Sequence, residues 1–216
     1  MKKIHFSFVL GCFLVLMSFK KLYSHSYIQT ESYLYADTTT SAVSGGYSKV
    51  NWTGYKIGGK HKGYIEISSG QLLFIDGVLA GGDFEMDMAT VSNTDIESED
   101  MKTKLEDHLK SPDFFDVKTH PTATFKIDKV VPYGQIEENI STCKVVGQLT
   151  IKGITKEIKF EAKLFEYDTS YSISARLRLD RSDFNIKYGS GTFFEDIGDK
   201  IIYDEVLLDV SLSALR

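Results

Sequence analysis

Two charged side chains stand where the pattern around them calls for apolar ones. Arg181 continues the inward positions set by Ile173, Ala175, Leu177 and Leu179, and Asp204 precedes the inward run Val206, Leu208, Val210 and Leu212. A charge on a buried face needs a partner, because an isolated ion loses its hydration and gains nothing in return. Either residue can meet the polar head of a bound molecule, or the two can pair with each other or sit at strand ends in water. Other reactive types are present without a reactive arrangement. Of the five histidines, His5 and His25 lie in or beside an N-terminal apolar stretch, while His61, His108 and His120 show no ligand spacing on one element. Structural roles are expected for them, and no metal. His108 falls near the end of a helical pattern, where a positive charge suits the macrodipole. No Gly-x-Ser-x-Gly or His-Glu-x-x-His motif occurs, and Cys143 has no base beside it, so no catalytic residue is assigned. Asp113 and Asp116 read as turn caps.

The elements that would position these groups are written mainly in period two. Phe84, Met86 and Met88 alternate with Asp83, Glu85 and Asp87, and Ala123, Phe125 and Ile127 with Thr124, Lys126 and Asp128. Leu149 and Ile151, then Ile158, Phe160, Ala162 and Leu164, flank a hairpin around Gly153-Ile154-Thr155-Lys156. With the two runs already named these give the clear strands, and weaker ones are expected over 50–57, 63–68 and 71–75. Residues 95–109 break the pattern: Met101, Leu105 and Leu109 recur every four residues behind early acids, predicting a short amphipathic helix that stops before Ser111-Pro112. The fold class is therefore all-β, a single antiparallel barrel of about eight strands with one helical insertion. Such a barrel leaves no open edge and is wide enough to hold one small ligand. An outer-membrane barrel would reverse the facing of the alternation, but the mid-chain helix, the uneven strands and the Lys and Glu on the polar faces favour the water-surrounded form.

Composition bounds the partners. A formal net charge of −5, with no stretch interleaving basic and aromatic residues, argues against nucleic acid. Lys2 and Lys3 before an apolar run over 6–19 form an export leader, with cleavage expected after Ser26. That run is too short to span a bilayer comfortably, so a retained anchor is the weaker reading and no membrane span is expected once the leader is removed. Lipidation at Cys12 is also the weaker reading, since it would leave the apolar residues 13–19 on the mature chain. Residues 27–46 are polar and Ser-, Thr- and Gly-rich, a flexible tether by composition, leaving 47–216 as one domain. With the leader gone Cys143 has no partner for a disulfide, so stability rests on the core.

Four blocks carry a resemblance. They are Val50-Asn51-Trp52-Thr53-Gly54-Tyr55-Lys56 with Gly59-Lys60-His61-Lys62-Gly63, and Leu105-Glu106-Asp107-His108-Leu109-Lys110-Ser111-Pro112-Asp113-Phe114-Phe115-Asp116-Val117 with His120-Pro121-Thr122-Ala123-Thr124-Phe125. Gly147-Gln148-Leu149-Thr150-Ile151-Lys152-Gly153-Ile154-Thr155-Lys156 and Arg181-Ser182-Asp183-Phe184-Asn185-Ile186, the last read as a late strand, follow in order. Together they resemble the YceI-like family of exported lipid-binding proteins, in a Bacteroidetes-like branch. The resemblance implies a lipocalin-like extended barrel, a periplasmic or secreted location, and a polyisoprenoid or quinone-like lipid as ligand, with no other cofactor. The lumen candidates are Trp52, Met86, Met88, Phe125, Phe160, Phe184, Val206 and Leu208. Thioether and aromatic surfaces suit a flexible prenyl tail, and burying one five-carbon unit contributes roughly 4 kcal/mol before ordering costs. Phe114 and Phe115 either gate the mouth or staple the helix to the barrel. Arg181 and Asp204 are the head-group candidates. The rival readings are an exported barrel enzyme acting on a small amphiphile, and a filled barrel with a structural or stress-related role. The oligomeric state is left open, a dimer included.

Overall fold

The computed structural model describes residues 36–195 and 198–216, so the expected leader and the first part of the tether lie outside the described residues. Nine strands and one α-helix follow in chain order: β1 (Thr38–Ala42), β2 (Lys49–Lys56), β3 (Gly59–Ile75), β4 (Val78–Asn93), α1 (Glu99–Lys110), β5 (Thr122–Glu137), β6 (Ile140–Ile151), β7 (Ile154–Glu166), β8 (Ser170–Asp180) and β9 (Ile202–Leu215). Consecutive strands from β2 to β9 pair antiparallel, and β9 returns to β2, which closes an eight-stranded ring. Closure turns the alternation into an inside and an outside.

The ninth strand corrects the expected tether. β2 pairs with β3 only from Gly59 to Glu66, leaving the far half of the 17-residue β3 without a neighbour on that side. Thr38–Ala42 supplies it, in register from Thr38↔Ile75 to Ala42↔Gln71, and Val43 then bridges to Ala214. Composition misleads here because the edge is filled by backbone hydrogen bonds, and threonine is at home in a strand. The weak strands expected over 63–68 and 71–75 are one strand, β3, whose pairing with β4 shifts register between Ile67 and Ser69.

Two hairpin turns follow directly from residue type. Asp76-Gly77 and Lys152-Gly153 each hold both central residues at positive φ, 50° and 76° in the first and 51° and 73° in the second. That is the two-residue turn whose twist matches the flanking strands, and glycine enters it without strain. Gly63 serves close approach instead. A Cβ there would lie 1.7 Å from the Ser92 carbonyl oxygen and 2.6 Å from Cζ2 of Trp52. Gly63→Ala is therefore expected to cost about 2–3 kcal/mol of overpacking strain. Urea unfolding of the variant checks it, and an unchanged midpoint would show that β3 and β4 can separate freely here.

The helix begins at Glu99 rather than at Asp95 because the residues before it are committed to a turn. The Asn93 side-chain oxygen accepts from the amide of Ile96 at 2.9 Å, and Asp95 accepts from the Lys62 amide at 2.8 Å. Glu106 then fastens α1 to the barrel by accepting from the Asn93 amide at 2.7 Å and the Ser92 hydroxyl at 3.1 Å. Leu109 is buried and Leu105 half-buried as the periodicity expects, whereas Met101 is 56% exposed and lies outside the packed face. The chain also leaves the barrel earlier than expected after β8. Arg181–Phe184 is a 3-10 turn, not a strand, started by Asp180 accepting from the Ser182 amide and ended by Asn185 at φ 57°.

One end of the barrel is packed solid. Phe74 stacks on Tyr171 at 4.4 Å between ring centres, and Leu72, Phe74 and Ala214 are essentially inaccessible. Cys143 is also buried, and burial pushes its thiol up, which removes it further from nucleophilic service. Toward the other end the inward residues Ile158, Phe160, Leu177, Leu179, Val206 and Leu208 are only half-buried. Among the described residues no side chain fills the space they face.

Candidate functional site

That space is a cavity of about 260 Å³ inside the barrel. It is some twenty times the roughly 10–15 Å³ a single water requires. Register builds its walls in layers. Trp52, Leu208 and Leu177 are paired across β2, β9 and β8; one layer toward the mouth come Gly54, Val206 and Leu179. One layer deeper lie Val50, Val210, Ala175 and Ala162. Across the lumen Phe84 and Phe125 pair between β4 and β5, and Phe125 meets Phe160 at 5.6 Å. Nearly all lining atoms are apolar, as expected of a site for a hydrocarbon tail.

Of the eight residues expected in the lumen, Trp52, Met86, Met88, Phe125, Phe160, Val206 and Leu208 line the cavity. Phe184 does not: it is fully buried in the 3-10 turn after β8, packed under the chain that leaves the barrel. Its place was inferred from a strand that ends at Asp180, four residues before it. Trp52 also carries a buried indole N–H with no partner among the described residues.

Arg181 and Asp204 adopt the alternative in which each is the other's partner. Their nearest atoms are 3.1 Å apart, and Arg181 is 5% exposed. The contact is Coulombic, because the guanidinium hydrogens are directed elsewhere. Nη1 donates to the carbonyls of Ile186 and Tyr188 at 3.1 and 2.8 Å, Nη2 to that of Ile202 at 3.0 Å, and Nε to that of Tyr203 at 3.3 Å. Asp204 in turn accepts from Ser190 and Thr192 at 2.8 and 2.7 Å. Burial lowers the Arg181 pKa while Asp204 and Asp180 raise it. The pair thus fastens the segment between β8 and β9, with Arg181 bordering the cavity and Asp204 Oδ1 buried without a hydrogen bond among the described residues.

Phe114 and Phe115 both reach the cavity. Phe114 is buried in an aromatic cluster, 5.0 Å from the His108 ring and 5.3 Å from Tyr188, and joins the end of α1 to the β8–β9 segment. His108 additionally lies 4.4 Å from Tyr188 and 3.5 Å from a carboxylate oxygen of Asp113. His120 packs near Gly153, and His61 lies at the mouth beside Asp95. The three histidines stand in different surroundings.

The polar residues that do border the open end, Lys56 and His61, were missed as site residues. A usable signal existed: counting by twos from Trp52 reaches Gly54 and Lys56, and His61 lies opposite Gly54 in the β2–β3 hairpin. His61 Nδ1 is 3.0 Å from Asp95 Oδ2. Burial pushes the Asp95 carboxyl up, but hydrogen bonds from the Lys62 amide, His61 and Asn93, with the field of His61, bring it below its ordinary value.

Relatives share this architecture. The UPF0312 protein of Pseudomonas aeruginosa strain LESB58 is 33% identical over 98 residues, which are 42% of this chain and 47% of that protein. Protein YceI of Escherichia coli O6:H1 is 28% identical over 114 residues, 50% of this chain and 56% of that one. The chain spans about half the length of the curated relatives it matches. Among solved structures, Burkholderia cenocepacia BcnA aligns with a TM-score of 0.63 at 24% identity, covering 80% of this chain and 99% of that one. A polyisoprenoid binding domain from Saccharophagus degradans, implicated in plant cell wall breakdown, aligns with a TM-score of 0.59 at 14% identity, covering 83% and 99%. Those two likenesses establish the fold. The model for the YceI-like domain matches residues 34–214, nearly the whole described barrel, and the chain belongs to that family.

Proposed function

We propose that this protein is an exported carrier that shields a polyisoprenoid or quinone-like lipid from water and performs no covalent chemistry on it. The observation that carries the reading is the open apolar lumen, which supports a binding role over a filled barrel. A structural relative described as a polyisoprenoid binding domain supports the lipid class. Export rests on the basic and apolar leader, and among the described residues no helix is long and apolar enough to cross a membrane. Methylene burial can hold a long tail without any polar contact deep in the barrel.

Trp52 makes the test direct, because it is the chain's single tryptophan and lines the cavity. Titration with geranylgeraniol, a neutral C20 prenol, is expected to give a saturable change in its emission. Organic extraction of protein purified from its own host, followed by mass spectrometry, is expected to release a prenyl lipid. Empty preparations together with an unresponsive Trp52 would sink the carrier reading; chemical conversion of the added lipid would favour the exported barrel enzyme.

A further inference from the structure

The lumen is apolar in depth, yet its rim is not neutral. We propose that Lys56 and His61, at the open end of the β2–β3 hairpin, form a subsite for an anionic head group of the phosphate or carboxylate class. The proposal rests on the lipid-carrier reading and specifies the head that the lipid bears.

Four observations converge on it. Lys56 and His61 both border the cavity, from neighbouring strands joined by a two-residue turn. His61 is oriented, not loose: Asp95 holds its Nδ1, and Asp95 is itself held by the Lys62 amide at 2.8 Å and the Asn93 side chain at 2.7 Å. With Nδ1–H given to the Asp95 carboxylate, Nε2 is the nitrogen left for a ligand: it donates to an anion in the imidazolium form and accepts from a protonated phosphate or carboxyl hydroxyl in the neutral form. Space lies beside it, since Gly54 faces His61 across the hairpin and a Cβ built on Gly54 would meet nothing within 4 Å.

Charge agrees with shape. Residues 56–62 hold three lysines, one histidine and no acid in a chain whose net charge is −5. Four acids of this side of the barrel are already paired: Asp95 with His61, Asp204 with Arg181, and Glu205 and Asp209 with Arg178 and Arg176. Lys56 forms no ion pair among the described residues. A phosphate or carboxylate at the rim would keep part of its hydration while its tail leaves water, so the lipid would be sorted along its length by the same polarity gradient the barrel presents. A neutral quinone or prenol would leave Lys56 without a counter-charge.

Three probes with one C20 tail separate head from tail: geranylgeranyl monophosphate, geranylgeranoic acid and geranylgeraniol. Each is titrated against the wild-type protein and against Lys56→Gln, His61→Gln and the double variant, with Trp52 emission as readout and thermal melts to confirm folding. At least one anionic probe is expected to bind the wild type about tenfold or more tighter than the alcohol, a ratio set by a charge-assisted contact. The tighter of the two anions identifies the head class. In the double variant that preference should fall to within about threefold while the affinity for the alcohol stays put. Lys56→Glu should make the anions bind more weakly than the alcohol. Equal binding of all three heads to the wild type, or a preference that persists in the double variant, would overturn the subsite while leaving the carrier reading intact. Binding of none of them would overturn the subsite and, together with empty preparations, the carrier reading as well.

Discussion

Ala175→Phe is expected to weaken binding of long-tailed lipids by about a hundredfold while the barrel still folds. Ala175 pairs with Ala162 on β7 and Val210 on β9, and both alanines border the cavity from its deep side. A phenyl ring added there has only the lumen to enter. In a filled core such an insertion costs about 1–3 kcal/mol, and less where a void already stands open. The space it takes is space the tail loses. If a third of the roughly 4 kcal/mol per five-carbon unit survives ordering costs, each displaced unit is worth about tenfold in affinity, and two units about a hundredfold. Titrating prenols of increasing length should therefore show affinity rising with length in the wild type and levelling off early in the variant. A folded variant with the wild-type length dependence would mean that the tail does not run between β7 and β8.

Arg181→Met should produce the largest loss of stability. The substitution removes the donor to four carbonyls, those of Ile186, Tyr188, Ile202 and Tyr203, and strands Asp204, whose side chain is 15% exposed. Breaking a buried pair from one side costs about 3–5 kcal/mol, because the surviving charge stays largely out of water without its counter-ion. For a domain of this size that corresponds to a melting-point drop of about 6–20 °C. Asp204→Asn should be milder, since the amide still accepts from Ser190 and Thr192. In both variants the preference among lipid heads should remain as in the wild type once folded protein is compared. A melting point within 2 °C of wild type for Arg181→Met would show that the β8–β9 segment is held by something other than this residue.

The barrel was largely legible because alternation is a property of each strand taken alone. Met86, Phe125 and Leu208 could be placed on the inner face by counting, with no knowledge of their neighbours. What escaped were features that depend on pairing. β1 exists because β3 outruns β2, a mismatch of lengths that no local composition records. Phe184 was carried one strand too far because Asp180 starts a turn by binding the Ser182 amide, and an Asp-Arg-Ser sequence does not by itself announce that. Met101 shares the spacing of Leu105 and Leu109 but stays mostly exposed, since α1 touches the barrel mainly through Glu106 and its C-terminal half. The rim was missed for a different reason. Lys56 and His61 look like ordinary solvent-facing charges in a hairpin, and only closure of the ring turns their inward parity into a mouth.

The solid end of the barrel has a kinetic meaning. With Phe74 stacked on Tyr171 and Leu72 and Ala214 sealed around them, the described residues leave no passage at this end of the vessel. On the proposed carrier reading, a lipid does not cross the packed end and leaves tail last by the mouth it used to enter. On that reading, donor and acceptor would then take turns at the same face, and the traffic would be exchange by alternating visits rather than flow through a conduit.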